Sequence, residues 1–175
     1  MANDAANVKA GLTGKVWAAP IGTPLPTDAT TALDAAFVDL GYISADGVKQ
    51  VPDRSTTDHK AWGGDVVKTT LDEHKVSFPF AMLESKAAVY QVYYGDETAT
   101  NTAWTVKNVE GVKRSWVFES VDGTEVTRQV VPNGQVTGVD EVAFKTDVLT
   151  TYGVTVTAFP ETGTEVKVYG YAGVI

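Results

Sequence analysis

The chain has 175 residues, 22 acidic against 14 basic for a formal net charge of −8, and no cysteine; its sequence pI is about 4.7 and its mean hydropathy −0.07. One domain with a real core fits that length, and the missing cysteine excludes disulfides, thiolate nucleophiles and cysteine-bound metals. The acidic balance argues against ordinary DNA binding, because phosphates repel such a surface, and no apolar run approaches the roughly 20 residues that cross a bilayer.

The opening MANDAANVKAGLTG is small and polar. It lacks an apolar signal core, so synthesis and assembly in a cytoplasm are expected, and residues 1–13 read as a flexible arm. Residues 14–19 (GKVWAA) make a short strand. Pro20, Pro24 and Pro26 then rule out an interior strand. Residues 28–37 have room for one helical turn, which Thr30 and Thr31 weaken. Residues 37–44 (FVDLGYIS) read as a second strand, and Asp46-Gly47 as a tight turn into residues 48–51.

Pro52 and the polar run over residues 53–58 make a loop, within a longer loop over 48–64. Residues 59–62 are short and extended, and Gly63-Gly64 is a turn. Residues 65–71 and 73–81 are predicted strands. In the second, Val76, Phe78 and Phe80 fall on one face and Lys75 and Ser77 on the other. Pro79 has no backbone donor, so its nitrogen should face an edge or a bulge.

The period then changes. Leu83, Ala87, Tyr90 and Tyr94 are spaced as on a helix, with Gly95 as its stop. Further strands are predicted over 104–109, 115–121, 124–131, 134–144, 152–159 and 165–171. Asp122-Gly123 and Asn133-Gly134 both have hairpin-turn chemistry. In the last run Val166 and Val168 alternate with Glu165, Lys167 and Tyr169. Many strands and one helix suggest a mainly β fold, a β-sandwich or barrel-like body with one flanking α-helix.

The stretch DRSTTDHKAWGGDVVKTTLDEHK holds both histidines, His59 and His74, each beside a carboxylate. A metal-dependent hydrolase would use them with Asp58, Asp72 or Glu73. The HExxH spacing is missing, however, and alternation sets Glu73 opposite Asp72 and His74. Ser55 and His59 lack the strand-to-helix elbow of a nucleophilic serine. Gly63-Gly64 precedes a strand, so no phosphate loop is present. These side chains therefore read as solvated strand faces and loops. Trp17, Trp62, Trp104 and Trp116 could stack on sugars in a carbohydrate-binding β-sandwich, but they are scattered and suit a core or a subunit interface better.

Several stretches carry a further signal in their order: GKVWAAPIGTPLPTDAT, FVDLGYISADGV, DRSTTDHKAW, EHKVSFPFAMLES and AVYQVYYG. Through about Gly95 the chain resembles major tail tube proteins of long, non-contractile-tailed (siphovirus-type) bacteriophages, in particular those infecting actinobacteria. The later hairpins agree in type more than in motif. The resemblance implies a structural virion protein, not an enzyme, with no cofactor and no metal. It implies a tail tube β-sandwich whose copies join sheets edge to edge into hexameric rings. Those rings stack into a tube that first holds the tape measure protein, meets tail-end proteins, and later conducts double-stranded DNA during ejection without binding it specifically. Residues 14–175 are expected to form a single tube domain without the C-terminal immunoglobulin-like domain of some relatives.

Edge pairing between copies would satisfy strand edges that a monomer leaves open. The polar stretch from Val48 to Gly64 makes Asp53, Arg54, Ser55, Thr56, Asp58 and Trp62 candidates for contacts between rings or subunits. Acidic side chains on a lumen would keep DNA phosphates from sticking. Alternation offers Asp72, Glu119 and Glu125 for that role.

Overall fold

The structure, a computed structural model, describes residues 8–106 and 110–175. Among these residues the strands are β1 (Thr13–Pro20), β2 (Val38–Asp39), β3 (Val51–Lys60), β4 (Val66–Met82), β5 (Lys113–Asp122), β6 (Glu125–Val139), β7 (Tyr152–Phe159) and β8 (Tyr169–Val174), with one helix, α1 (Ala87–Tyr94). All pairings are antiparallel. One sheet runs in the order β2-β1-β5-β6-β7-β4-β3, and β8 also pairs with β6.

The sheet folds over on itself. β6 is long enough to serve both halves: residues 125–130 pair with β8 and residues 133–139 pair with β7 along the same edge. β4 thereby comes to face β5, which is not its hydrogen-bonded neighbour. Phe78 stacks on Phe118 with ring centroids 4.6 Å apart, and Phe80 meets Trp116 edge-on at 6.2 Å. Val76, Phe78 and Phe80 are buried here, as their alternation predicts. Each such side chain contributes about 2–3 kcal/mol by leaving water. The body is thus a mainly β, sandwich-like fold. Helix α1 closes one end with Val89, Tyr90 and Val92, and Gly95 stops it in the left-handed conformation at φ 68°.

A second, smaller cluster lies on the outer face of β1, β5 and β6. Ala19, Phe37, Val117 and Val130 are buried there with Leu25, Leu33, Tyr169 and Tyr171 packed against them. The chain over residues 20–37 makes that cover, and Asp28 gives it shape. Its carboxylate accepts from the Thr31 hydroxyl and N–H and from the Thr30 N–H and hydroxyl. Those bonds, the Thr31 hydroxyl foremost, hold Asp28 far below the usual carboxylate range.

Several predicted boundaries are corrected. The loop over 53–58 is strand: it lies within β3, which pairs with β4 from Val51↔Ser77 to Lys60↔Val66. Predicted strands 65–71 and 73–81 are one strand, because a bulge at Asp72 absorbs the break in alternation. Asn133-Gly134 is not a turn. Trp116 pairs with Val131 and Arg114 with Gly134, so Pro132 and Asn133 form a bulge opposite Ser115 and β6 runs on. Gly134 serves packing, since a Cβ there would sit 2.6 Å from Trp116 Cδ1.

The predicted strand over 37–44 shrinks to β2 and one bridge, Ile43↔Met82. Residues 104–106 are not strand, and the rest of that prediction, like residues 1–7 of the arm, lies outside the described residues. The last strand begins at Tyr169 rather than Glu165. Asp122-Gly123 is a hairpin turn as predicted, with Gly123 at φ 61°. Pro79 also fits: Lys49 N–H reaches its carbonyl, so its nitrogen faces the side where β3 has ended.

Candidate assembly surfaces

The stretch that holds both histidines forms a hairpin arm. β7 joins β4 only from Val76 onward, whereas β3 follows β4 along the ten residues before it. Beyond the body, β3 and β4 are therefore a two-stranded ribbon without a third strand among the described residues. All ten residues of β3 are exposed, and most of β4 over residues 66–75 is too. Isolated two-stranded ribbons are marginal in water. This one is braced by cross-strand side-chain bonds: Thr57 donates to Asp72, Thr69 donates to Asp58 at 2.6 Å, and His59 Nε2 bonds Thr70 at 2.9 Å. The tip turns at residues 61–65, where Ala61 N–H bonds the Asp65 carbonyl at 2.8 Å. Trp62 stands there fully in solvent, and Val66, Val67 and Leu71 are exposed behind it.

The arm brings together Asp53, Arg54, Ser55, Thr56, Asp58 and Trp62, the residues that the sequence offers as contacts. It does not bring the histidines together. His74 pairs with Arg54 and His59 with Lys68. They lie five β3 positions apart, about 17 Å along the strand, and on opposite faces. Among the described residues no group of three His, Cys, Asp or Glu side chains could hold a metal.

The tryptophans divide by environment. Trp116 is wholly buried and donates from Nε1 to the Gly134 carbonyl at 3.1 Å. Trp104 stacks on Tyr94 with centroids 5.8 Å apart, and Trp17 packs beside the second cluster. They form no flat platform for a sugar.

Asp72, Glu119 and Glu125 do not share one surface. Asp72 is on the arm. Glu119 pairs across strands with Arg128, and Glu125 with Asp122. Positions 125 and 128 differ by three, so Glu119 and Glu125 point to opposite faces. Glu119 is bound to Arg128 in a largely buried ion pair, and Glu125 binds Lys9 at 2.7 Å. Alternation in the sequence reports neither partner.

Among the described residues the sheet has three rims of different character. β3 carries Pro52, Asp53, Arg54, Asp58, His59 and Lys60, with two register shifts against β4. Proline, charge and bulges all discourage unplanned pairing. β2 is only two residues long. β8 reads YGYAGV, with no proline, charge or bulge. The uncharged run is visible in the sequence, but only the topology makes it a rim.

A family model described as phage tail tube protein matches residues 1–169. No curated protein sequence matches the chain. Among solved structures, the fold is similar to the tube-terminating cap of the anti-feeding prophage. The two are 14% identical with a TM-score of 0.51, over 99% of this chain and 97% of that one. It is also similar to a chain in the sheath–tube complex of the extracellular contractile injection system PVC in its extended state. There the identity is 10% and the TM-score 0.52, over 98% of this chain and 95% of that one. At such identities the likeness is one of fold. With a family model spanning nearly all its length, on a body whose exposed arm and open rims suit contacts between copies, this chain belongs to the phage tail tube protein family.

Proposed function

We propose that copies of this structural tail protein close into hexameric rings, and that the rings stack into the tube of a long, non-contractile (siphovirus-type) tail. The observation that carries this reading is the β3–β4 arm. A ribbon of this length, exposed on both faces and tipped by a bare tryptophan, is held by the rest of its protomer only near its base among the described residues, where Lys167 donates to the His74 carbonyl. Contact with a neighbouring copy supplies a partner beyond that base. Asp53, Arg54, Ser55, Thr56, Asp58 and Trp62 then act as contact residues between subunits or rings.

The tube holds the tape measure protein before infection, meets tail-end proteins at its limits, and conducts DNA at ejection. Assembly takes place in the host cytoplasm. A net charge of −8 supports a wall to which DNA phosphates do not adhere. Of the acidic candidates, Asp72 and Glu125, the latter paired with Lys9, keep more exposed carboxylates for such a wall than Glu119, which Arg128 holds in a largely buried pair.

Electron microscopy of the purified chain tests the reading. Hollow tubes or rings with sixfold symmetry are expected. A second sample has residues 57–70 replaced by a two-residue Asn-Gly turn between Thr56 and Leu71, which face each other in the ribbon. That variant should fold and fail to extend tubes. Wild-type protein that stays monomeric at high concentration, or a shortened arm that builds normal tubes, defeats the proposal.

A further inference from the structure

We infer that the outer edge of β8 is the rim onto which a second copy of this chain adds a strand, an inference that rests on the self-assembly reading above. Ile175 N–H donates to the Thr124 carbonyl at 2.8 Å, in line with the β6–β8 register. Alternation then turns the backbone groups of Tyr169, Tyr171 and Gly173 toward β6 and those of Gly170, Ala172 and Val174 outward. All three outward residues are exposed. Among the described residues no hydrogen bond reaches their N–H or C=O groups. Three donors and three acceptors stand in a row along a straight edge.

That edge differs from the β3 rim in lacking every device that blocks pairing. It has no proline and no charged side chain. Gly170 adds a second mark. A Cβ there would meet nothing within 4 Å, and its backbone is not in the left-handed region. Neither turn geometry nor packing within the protomer calls for glycine. Glycine inside a strand commonly marks close approach by another backbone.

A second copy is the occupant that the chemistry favours. The edge has no charge or side-chain pocket with which to select a foreign partner, so recognition there is by backbone pairing. The same half of the sheet also ends in an open rim at β2. A head-to-tail contact between different rims of identical copies repeats from copy to copy, and it closes into a ring where the rotation between copies divides a full turn.

The experiment uses proline at an outward position. Ala172→Pro removes a donor from the rim and none from the β6 pairing, and proline is tolerated on edge strands. Ala172→Ser keeps the donor. Wild-type tubes, Ala172→Ser tubes and a folded but non-assembling Ala172→Pro protein are expected. Hydrogen exchange on the unmodified protein is the companion measurement. Amides of Gly170, Ala172 and Val174 should gain at least tenfold protection on passing from subunit to tube, which also decides the matter should the proline variant misfold. If wild-type chain forms no tubes, the self-assembly reading itself fails. If tubes form and Ala172→Pro builds them equally well, or the three amides gain no protection, the β8 assignment is overturned while the tube stands. Protection that appears only when another tail protein is added assigns the edge to that partner and likewise overturns it.

Discussion

Arg128 grips Glu119 across the β5–β6 pair with two hydrogen bonds to one oxygen, from Nε at 3.1 Å and from Nη2 at 2.6 Å. The remaining guanidinium nitrogen donates to the carbonyls of Asp28 at 3.2 Å and Thr31 at 2.8 Å. One buried cation therefore ties the sheet to the segment that covers its second cluster. Removing the carboxylate leaves that cation largely buried and uncompensated. Glu119→Ala should lower the unfolding free energy by about 3 kcal/mol and hasten proteolysis between residues 20 and 37. Urea unfolding and limited digestion measure both effects. A loss below about 0.5 kcal/mol, the range of an ordinary surface change, would show that the pair is not a structural tie.

Gly134 offers a second test. Its missing side chain makes room for the Trp116 indole, whose Nε1 a Cβ would approach to 2.8 Å, and the same Cβ would come within 3.0 Å of Val156. Gly134→Ala should therefore strain the core by about 1–3 kcal/mol and alter the fluorescence of the buried indole. Unchanged thermal unfolding would mean that β6 yields at its Pro132–Asn133 bulge.

That glycine also shows where sequence reasoning stops. Asn-Gly carries a strong local turn signal, and tertiary packing against Trp116 overrides it. The arm fails for the same kind of reason. Asp53 to Asp58 has no apolar alternation because neither face is buried within the protomer, and alternation reports only half-buried strands. Where one face does meet the core, as at Val76, Phe78 and Phe80, pattern and structure agree. So do Tyr152–Phe159 and the helix that stops at Gly95, although it begins at Ala87 and leaves Leu83 outside. The candidate contact residues are legible as a polar stretch, and the hairpin that gathers them is not. The Glu119–Arg128 pair needed the strand register.

Acid stability should depend on the residue 28–31 turn. Hydrogen bonds from Thr31, then Thr30, lower the Asp28 pKa in the folded chain. A depressed folded pKa means stability that is fully present above the unfolded value of about 3.9 and lost as pH falls through the folded one. Glu84 is lowered in the same sense, by Lys86 first and the Tyr42 N–H second. Both contributions should be constant from neutral pH to about pH 5 and fade below the unfolded carboxylate range near pH 4. Thr31→Val removes the largest cause at Asp28. Carboxyl chemical shifts followed by NMR should show the Asp28 midpoint rising. An unmoved midpoint would sink this account of the turn.

Trp62 separates folding from assembly most cleanly. Its side chain touches water on all sides at the hairpin tip, so the protomer gains nothing measurable from it. Trp62→Ala should change the unfolding free energy of the subunit by no more than about 0.5 kcal/mol. If the indole is covered in the tube, it removes roughly 150–250 Å² from water. At about 25 cal/mol per Å² that is worth roughly 4–6 kcal/mol before ordering costs. Even a third of that value raises the concentration needed for tube growth about tenfold. Trp62→Phe should fall between wild type and Trp62→Ala, because it keeps part of the apolar area. Sedimentation across a concentration series reads the threshold, and urea unfolding of the dissociated subunit supplies the control. Equal thresholds for all three proteins would place the tip in solvent within the tube and return the ring contact to the flanks of the arm.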